Sequence, residues 1–214
     1  MNRDIGKLRT QYSSLGLSKK DLSGDPLEQF SLWFDQVSNE NKVKEPNAMT
    51  LSTIGLDGYP RARVVLLKFF GENGFGFYTN LLSQKGRAIA NNPRVSLSFY
   101  WPYKFQQILI KGIAHIVDDR IAEQYFQSRP KGSQLAALLS EQSSVIPNRN
   151  SLEKKYAQLE TSYSHKVVSK PLNWGGYRVI PEEYEFWQGQ KNRLHDRFRY
   201  TYRTENWEIH RLAP

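Results

Sequence analysis

The chain has 214 residues, 39% of them hydrophobic and 24% charged, with a net charge of +9 and no cysteine. This excludes a disordered chain, and with no apolar run near the length of a span it argues against a membrane protein. Without cysteine there is no disulfide, thiolate nucleophile or thiolate metal site, which suits a cytoplasmic location.

The length predicts one domain, residues 25–214, preceded by an N-terminal arm over residues 1–24 that is partly mobile. Met1 to Lys20 is polar and basic and lacks the apolar stretch of a secretory signal. Asp25-Pro26 then opens a helix, with Asp25 as cap and Pro26 in the first turn. Leu27, Phe30, Trp33, Phe34 and Val37 recur at helical spacing and read as core. Strands are expected over Met49 to Ile54, Arg61 to Phe70 and Phe75 to Thr79, with a turn at Gly55 to Pro60. A short helix spans Ser83 to Asn92, followed by strands over Val95 to Trp101 and Gln107 to Val117. Helices follow at Asp118 to Ser128, Ser133 to Ser140 and Ser151 to Tyr163. Four strands close the chain: Gly175 to Ile180, Tyr184 to Gln188, Arg197 to Arg203 and Trp207 to Leu212. Strands joined by short turns predict an α+β fold built on a mostly antiparallel β-barrel with peripheral helices.

The charge has three readings: a nucleic-acid partner, a phosphorylated small ligand, or a basic surface with no specific partner. The cations are scattered rather than grouped in one run, which weakens the first. Dinucleotide-binding, P-loop and nucleophile-elbow motifs are absent. The histidines, His115, His165, His195 and His210, are far apart and none sits in a zinc-binding helix motif, so no metal is expected. What stands out is Glu185 to Arg197, which packs Trp187, Arg193, His195, Asp196 and Arg197 together. Aromatic and cationic residues without a nucleophile or metal point to an organic cofactor that carries the chemistry.

Three further segments offer phosphate contacts. Arg61 to Lys68 places cations at both ends of an apolar strand, and strand parity puts Arg63 and Lys68 on opposite faces. Such cations are also ordinary solvated strand ends. Tyr78 to Lys85 is a hydroxyl-rich turn feeding a helix N-terminus, where backbone N–H groups can meet a phosphate. Ser83 as a plain helix cap explains it equally. Tyr125 to Ser133 groups Tyr, Arg and Ser at a helix break, which ordinary capping also explains.

Arg63-Val64-Val65-Leu66-Leu67-Lys68, Tyr78-Thr79-Asn80, Asn91 to Ser96, Tyr125-Phe126 with Ser128-Arg129-Pro130, Gln142-Ser143-Ser144, Trp174-Gly175-Gly176, Phe186 to Gly189, Arg193-Leu194-His195-Asp196-Arg197 and the terminal Arg211-Leu212-Ala213-Pro214 together resemble the pyridoxine/pyridoxamine 5′-phosphate oxidase family. The resemblance runs from about Leu8 to the last residue. It implies a split-barrel flavoprotein, a homodimer with FMN at the subunit interface. Such enzymes oxidise pyridoxamine 5′-phosphate or pyridoxine 5′-phosphate to pyridoxal 5′-phosphate, with O2 as acceptor and H2O2 released. No nucleic-acid or membrane partner is implied.

Carried onto this chain, the resemblance assigns FMN contacts to Arg63, Val64, Val65, Leu66, Leu67, Lys68, Tyr78, Thr79, Lys85, Gln107, Gln142, Ser143, Trp187 and Arg197. Arg63 and Lys85 are the expected ligands of the FMN phosphate. Lys68, Tyr125, Arg129 and Ser133 would grip the substrate phosphate. Arg193 and His195 would flank the substrate ring as the catalytic pair, His195 bonding a substrate oxygen or assisting proton removal. Arg9 and Tyr12 belong to an arm that closes over the substrate. One departure is Gln84, where the family carries arginine; losing a direct cationic contact costs about 1.5–3 kcal/mol, and Arg87 is the candidate to compensate. The rival readings are another split-barrel flavoprotein, such as a flavin reductase-like or general stress protein, and a non-enzymatic nucleic-acid-binding barrel.

Overall fold

A computed structural model describes residues 3–8, 10–12 and 14–214. Arg9, one of the expected arm contacts, lies outside the described residues. Among the described residues the order is α1 (Pro26–Asn39), β1 (Ala48–Ile54), β2 (Pro60–Leu66), β3 (Phe69–Gly71), β4 (Gly74–Asn80), α2 (Gln84–Asn91) and β5 (Arg94–Trp101). Then come β6 (Gln106–Ile116), α3 (Asp119–Ser128), α4 (Lys131–Leu139), α5 (Arg149–Ser162), β7 (Trp174–Gln188), β8 (Asp196–Arg203) and β9 (Asn206–Leu212). The strands form one sheet in the order β2-β1-β5-β6-β7-β4-β3, with β8 on β7 and β9 on β8. The β3–β4, β4–β7, β7–β8 and β8–β9 pairs are antiparallel. No helix among the described residues is long and apolar enough to cross a membrane.

The chain divides into two compact units, each discontinuous in sequence. The first comprises Met1–Thr50, Ser96–Lys111 and Pro181–Pro214; the second comprises Leu51–Val95 and Gly112–Ile180.

In the first unit, α1 starts as expected. The Asp25 carboxylate accepts from the Leu27 N–H at 2.7 Å, and Pro26 occupies the first turn, where no donor is needed. Phe30, Trp33 and Val37 are buried. The Phe30 ring meets Phe99 edge-on at 5.1 Å, and Trp33 meets Phe186 at 5.3 Å. Each such buried side chain contributes about 1.5–3 kcal/mol. The arm is tied down at several points: the Ser14 hydroxyl donates to the Gly189 carbonyl (2.9 Å), and the Leu17 N–H donates to Asp196 Oδ2 (3.0 Å). Arg211 closes the clasp, pairing with Asp196 at 2.5 Å and donating to the Leu17 carbonyl at 3.1 Å.

In the second unit, Ala122, Phe126, Leu135, Val168 and Trp174 form a buried cluster, against which Tyr78 and Tyr125 pack. Two expectations about strands are corrected. Arg61 to Phe70 is not one strand: β2 ends at Leu66 and β3 begins at Phe69. The chain changes partner there, the Lys68 N–H donating to the Gly76 carbonyl at 2.8 Å as β3 takes up β4. Gly76 is required at this crossing, because a Cβ there would overlap the Phe69 ring. Conversely, Gly175 to Ile180 and Tyr184 to Gln188 are one strand, β7. Residues 174–179 pair with β4 and residues 183–188 with β8, so Pro181 falls between the two ladders and its missing N–H costs no bond on that edge.

Candidate active site

The second unit holds a cavity of about 440 Å³, a size typical of small-molecule sites. The end of β2 supplies Val64, Val65 and Leu66, followed by Lys68; the end of β4 supplies Tyr78, Thr79 and Asn80. Lys85 enters from α2, Tyr125 and Arg129 from the end of α3, and Ser133 from α4. Ser140, Gln142 and Trp174 complete the polar and aromatic wall.

Among the described residues three cations line this cavity and no carboxylate does. Lys85 shows why that matters. Its Nζ donates to Gln142 Oε1 (2.8 Å) and Thr79 Oγ1 (3.3 Å), and Thr79 in turn donates to Gln142 at 3.1 Å. These partners are all neutral. Burial, then the neighbouring Arg63, pull the Lys85 ammonium below its ordinary pKa. Burial and Arg61 do the same to Arg63. A partly desolvated ammonium with only neutral partners, facing an open cavity, defines a place for an anion. Ser83 caps α2, its Oγ accepting from the Gly86 N–H at 3.3 Å, so the N-terminus of α2 adds its dipole near Lys85.

A second cationic group is Arg129, whose guanidinium lies 5.0 Å from the Trp174 ring. Its Nη1 is buried and has no hydrogen-bond partner, and burial lowers its pKa, an effect that Tyr125 opposes. Tyr78 and Tyr125 stack at 4.1 Å with their planes 10° apart.

Not every expected residue reaches this cavity. Arg63 does not line it, its Nη1 donating to Thr53 Oγ1 (2.8 Å) and the Leu51 carbonyl (3.2 Å). Leu67 is buried at 4% exposure and does not line it. Ser143 has a left-handed backbone (φ 77°) and accepts from the Gln84 N–H at 3.2 Å. Gln84 and Arg87 share a separate small cleft with Asp57 and Arg61. Conversely, Asn80, Ser140 and Trp174 line the cavity without having been assigned a role from sequence. Trp174 carried a signal, the Trp-Gly-Gly motif; Asn80 and Ser140 are joined by a bond from Asn80 Nδ2 to the Ser140 carbonyl (3.1 Å) between residues far apart in sequence.

The first unit gathers the C-terminal cluster. Gln107 lies there on β6. On the β7–β8 ladder Trp187 pairs with Arg197. Arg197 donates to Glu185 at 2.8 Å and to the Ala213 carbonyl at 2.9 Å. His195 lies 4.7 Å from Trp187 and 5.6 Å from Tyr12, centroid to centroid. Its Nδ1 accepts from the Gln190 N–H at 3.0 Å. Burial, then Arg193, push its pKa down, with Asp196 opposing. Asn192 and Arg193 both have left-handed backbones (φ 56° and 64°) in the short turn that joins β7 to β8, where Arg193 is exposed. Asp196 serves Leu17 and Arg211 rather than Arg193 or Arg197. No group of three or more His, Asp or Glu among the described residues can hold a metal.

Comparison with known proteins fits this arrangement. A family model described as pyridoxamine 5′-phosphate oxidase matches residues 39–163, and one described as the pyridoxine 5′-phosphate oxidase C-terminal dimerisation region matches residues 174–214. A pyridoxine/pyridoxamine 5′-phosphate oxidase of Flavobacterium psychrophilum is 49% identical, over 99% of this chain and 100% of that one. The chloroplastic pyridoxine/pyridoxamine 5′-phosphate oxidase 1 of Arabidopsis thaliana is 45% identical over 99% of this chain and 41% of its own length. Among solved structures, PhzG from Burkholderia lata, in complex with tetrahydrophenazine-1-carboxylic acid, superposes with a TM-score of 0.85 at 28% identity, covering 91% of this chain and 95% of that one. The fold is therefore the antiparallel split barrel with helices that the sequence leads one to expect. With both models matched and near-half identity along its whole length, this chain belongs to the pyridoxamine 5′-phosphate oxidase family.

Proposed function

We propose that the chain oxidises pyridoxamine 5′-phosphate or pyridoxine 5′-phosphate to pyridoxal 5′-phosphate with FMN and O2, as a cytoplasmic homodimer whose FMN lies at the subunit interface. The observation that carries this reading is the cavity with cations and no carboxylate, in a chain of this family. Lys85 with Thr79 and Gln142 fits the phosphate of FMN, and the apolar wall of Val64, Val65 and Leu66 fits a flat ring. The orphaned Nη1 of Arg129 fits a second phosphate, that of the substrate. FMN, when bound, supplies the two-electron acceptor that O2 later regenerates.

The protein's own part is binding and orientation. Arg129, Lys68, Tyr125 and Ser133 hold the non-reacting phosphate of the substrate, so that its binding energy fixes the ring. Arg193 covers the substrate ring. His195 is neutral near pH 7, and with Nδ1 accepting from Gln190 its proton sits on Nε2. That atom donates to a substrate oxygen, which favours hydrogen bonding over proton removal as its role. Tyr12, packed at 4.8 Å against Phe105 and 5.9 Å from Trp187, brings the arm to this cluster. Trp187 and Arg197 are assigned to the flavin, Arg197 favouring negative charge on it. The match to a dimerisation region supports the two-subunit assembly.

The test is a visible absorption spectrum of the purified protein, followed by an assay of pyridoxal 5′-phosphate formation from each substrate. A flavin spectrum with product formation is expected. A colourless protein that binds single-stranded nucleic acid overturns the reading, and a yellow one without product points to another flavoprotein activity.

A further inference from the structure

We propose that Trp174 is a positioning residue for anion binding: its indole face fixes the Arg129 guanidinium without consuming any of its N–H donors.

An arginine with a buried donor is usually held by a carboxylate, and that partner neutralises it. Arg129 is held differently. Its guanidinium carbon lies 5.0 Å from the Trp174 ring and 5.7 Å from the Phe126 ring. An aromatic face attracts the cation through its quadrupole and leaves the planar fork of donors free. Nη1 is accordingly buried and unpartnered. An unpartnered buried donor is costly unless a ligand fills the role.

Trp174 is itself fixed. It is 6% exposed, and its ring is parallel to Tyr78 within 3° at 5.3 Å and to Tyr125 within 13° at 6.2 Å. Its backbone N–H donates to the Pro171 carbonyl at 2.9 Å. Its carbonyl accepts from Lys170 Nζ at 3.2 Å. That ammonium also pairs with Asp119 at 2.7 Å, and the Lys170 side chain is only 4% exposed. The start of β7 is thus pinned to the first turn of α3, while Arg129 follows the last turn of the same helix. Tyr125, stacked on Tyr78 and packed beside Trp174, belongs to the same rigid group. Core packing alone would explain the burial of Trp174. It would not explain a cation laid on the ring with a free donor in a cavity that has no carboxylate.

The inference rests on the reading of Arg129 as the substrate-phosphate ligand, and the experiment separates the two. Arg129→Ala, Trp174→Leu, Trp174→Phe and the double variant Arg129→Ala/Trp174→Leu are prepared as FMN-loaded enzymes. Affinity for pyridoxal 5′-phosphate and for inorganic phosphate as competitor is measured by titration, alongside KM, kcat and FMN affinity. Trp174→Leu is expected to weaken phosphate binding and raise KM about tenfold, with kcat and FMN affinity changed far less. Trp174→Phe, which keeps a ring face, recovers most of the loss, and it decides the matter if the leucine variant does not fold. In the double variant Trp174→Leu adds nothing beyond Arg129→Ala. Unchanged phosphate affinity in both Trp174 variants, or additive losses in the double variant, overturns the positioning role. If Arg129→Ala itself leaves phosphate affinity intact, the reading of this cavity fails first, and the positioning role falls with it.

Discussion

The backbone N–H of Gln190 points at Nδ1 of His195 from 3.0 Å, which leaves Nε2 as the atom that carries the proton in the neutral ring. Protonating this imidazole puts a second proton on Nδ1 and breaks the Gln190 bond. Burial and Arg193 hold its pKa below the usual 6.5. The neutral form therefore persists at pH 7 and is lost only as pH falls through the lowered value. A plot of kcat/KM against pH should show an acid limb with its midpoint below 6.5. His195→Gln should remove that limb and lower kcat/KM by about a hundredfold. A limb that survives the substitution refutes the assignment.

Arg193 stands on a left-handed turn and is exposed. The proposed function sets it over the substrate ring. Arg193→Ala should lower kcat/KM by on the order of a hundredfold through lost positioning, with FMN retained. Flavin content from the visible spectrum and steady-state kinetics check both halves. Loss of FMN with turnover restored on reconstitution would reverse the role.

Lys85 has neutral partners and a depressed pKa. Lys85→Met should weaken FMN by about ten- to a hundredfold, the worth of one charge-assisted contact. The FMN-free variant should be no less stable than the FMN-free parent, because a partly desolvated cation has gone. Fluorescence titration of FMN and thermal melts of both FMN-free forms decide this. Unchanged FMN affinity would remove Lys85 from the phosphate site.

Asp196 joins the arm to β9, accepting from the Leu17 N–H and pairing with Arg211. Asp196→Ala should cost about 1–3 kcal/mol and make residues 1–24 more sensitive to limited proteolysis. Equal cleavage rates in the two proteins would show that the clasp holds nothing.

Much of this was legible in the chain. Asp25-Pro26 announced α1, and Ser83 announced α2, because caps are local chemistry. Strand parity set Arg63 and Lys68 on opposite faces of one strand, but β2 ends at Leu66, so the break before Lys68 and not parity accounts for Lys68 alone of the two lining the cavity. What stayed hidden was non-local. Arg61 to Phe70 has uniform strand texture, yet the chain changes neighbours at Leu67, a choice made by β4. Pro181 reads as a break, and only the change of ladder partner from β4 to β8 makes it harmless. Asp196 sits between two arginines in sequence distance, but its partners come from the arm and from β9. The role of Trp174 depends on a cation over its ring, which no spacing rule reveals.

The absence of any carboxylate from the cavity wall has a thermodynamic consequence. Folding the ligand-free protein partly desolvates Lys85 and Arg129 and sets Lys85 against the repelling charge of Arg63, so the fold works against its own charge. An arriving phosphate relieves that repulsion, and loading and folding then draw on the same free energy. The gain follows RT ln(1 + [L]/Kd), about 2.7 kcal/mol at a hundredfold excess over Kd. The melting temperature of this protein should therefore read out the supply of its ligands, rising with inorganic phosphate even when no flavin is present.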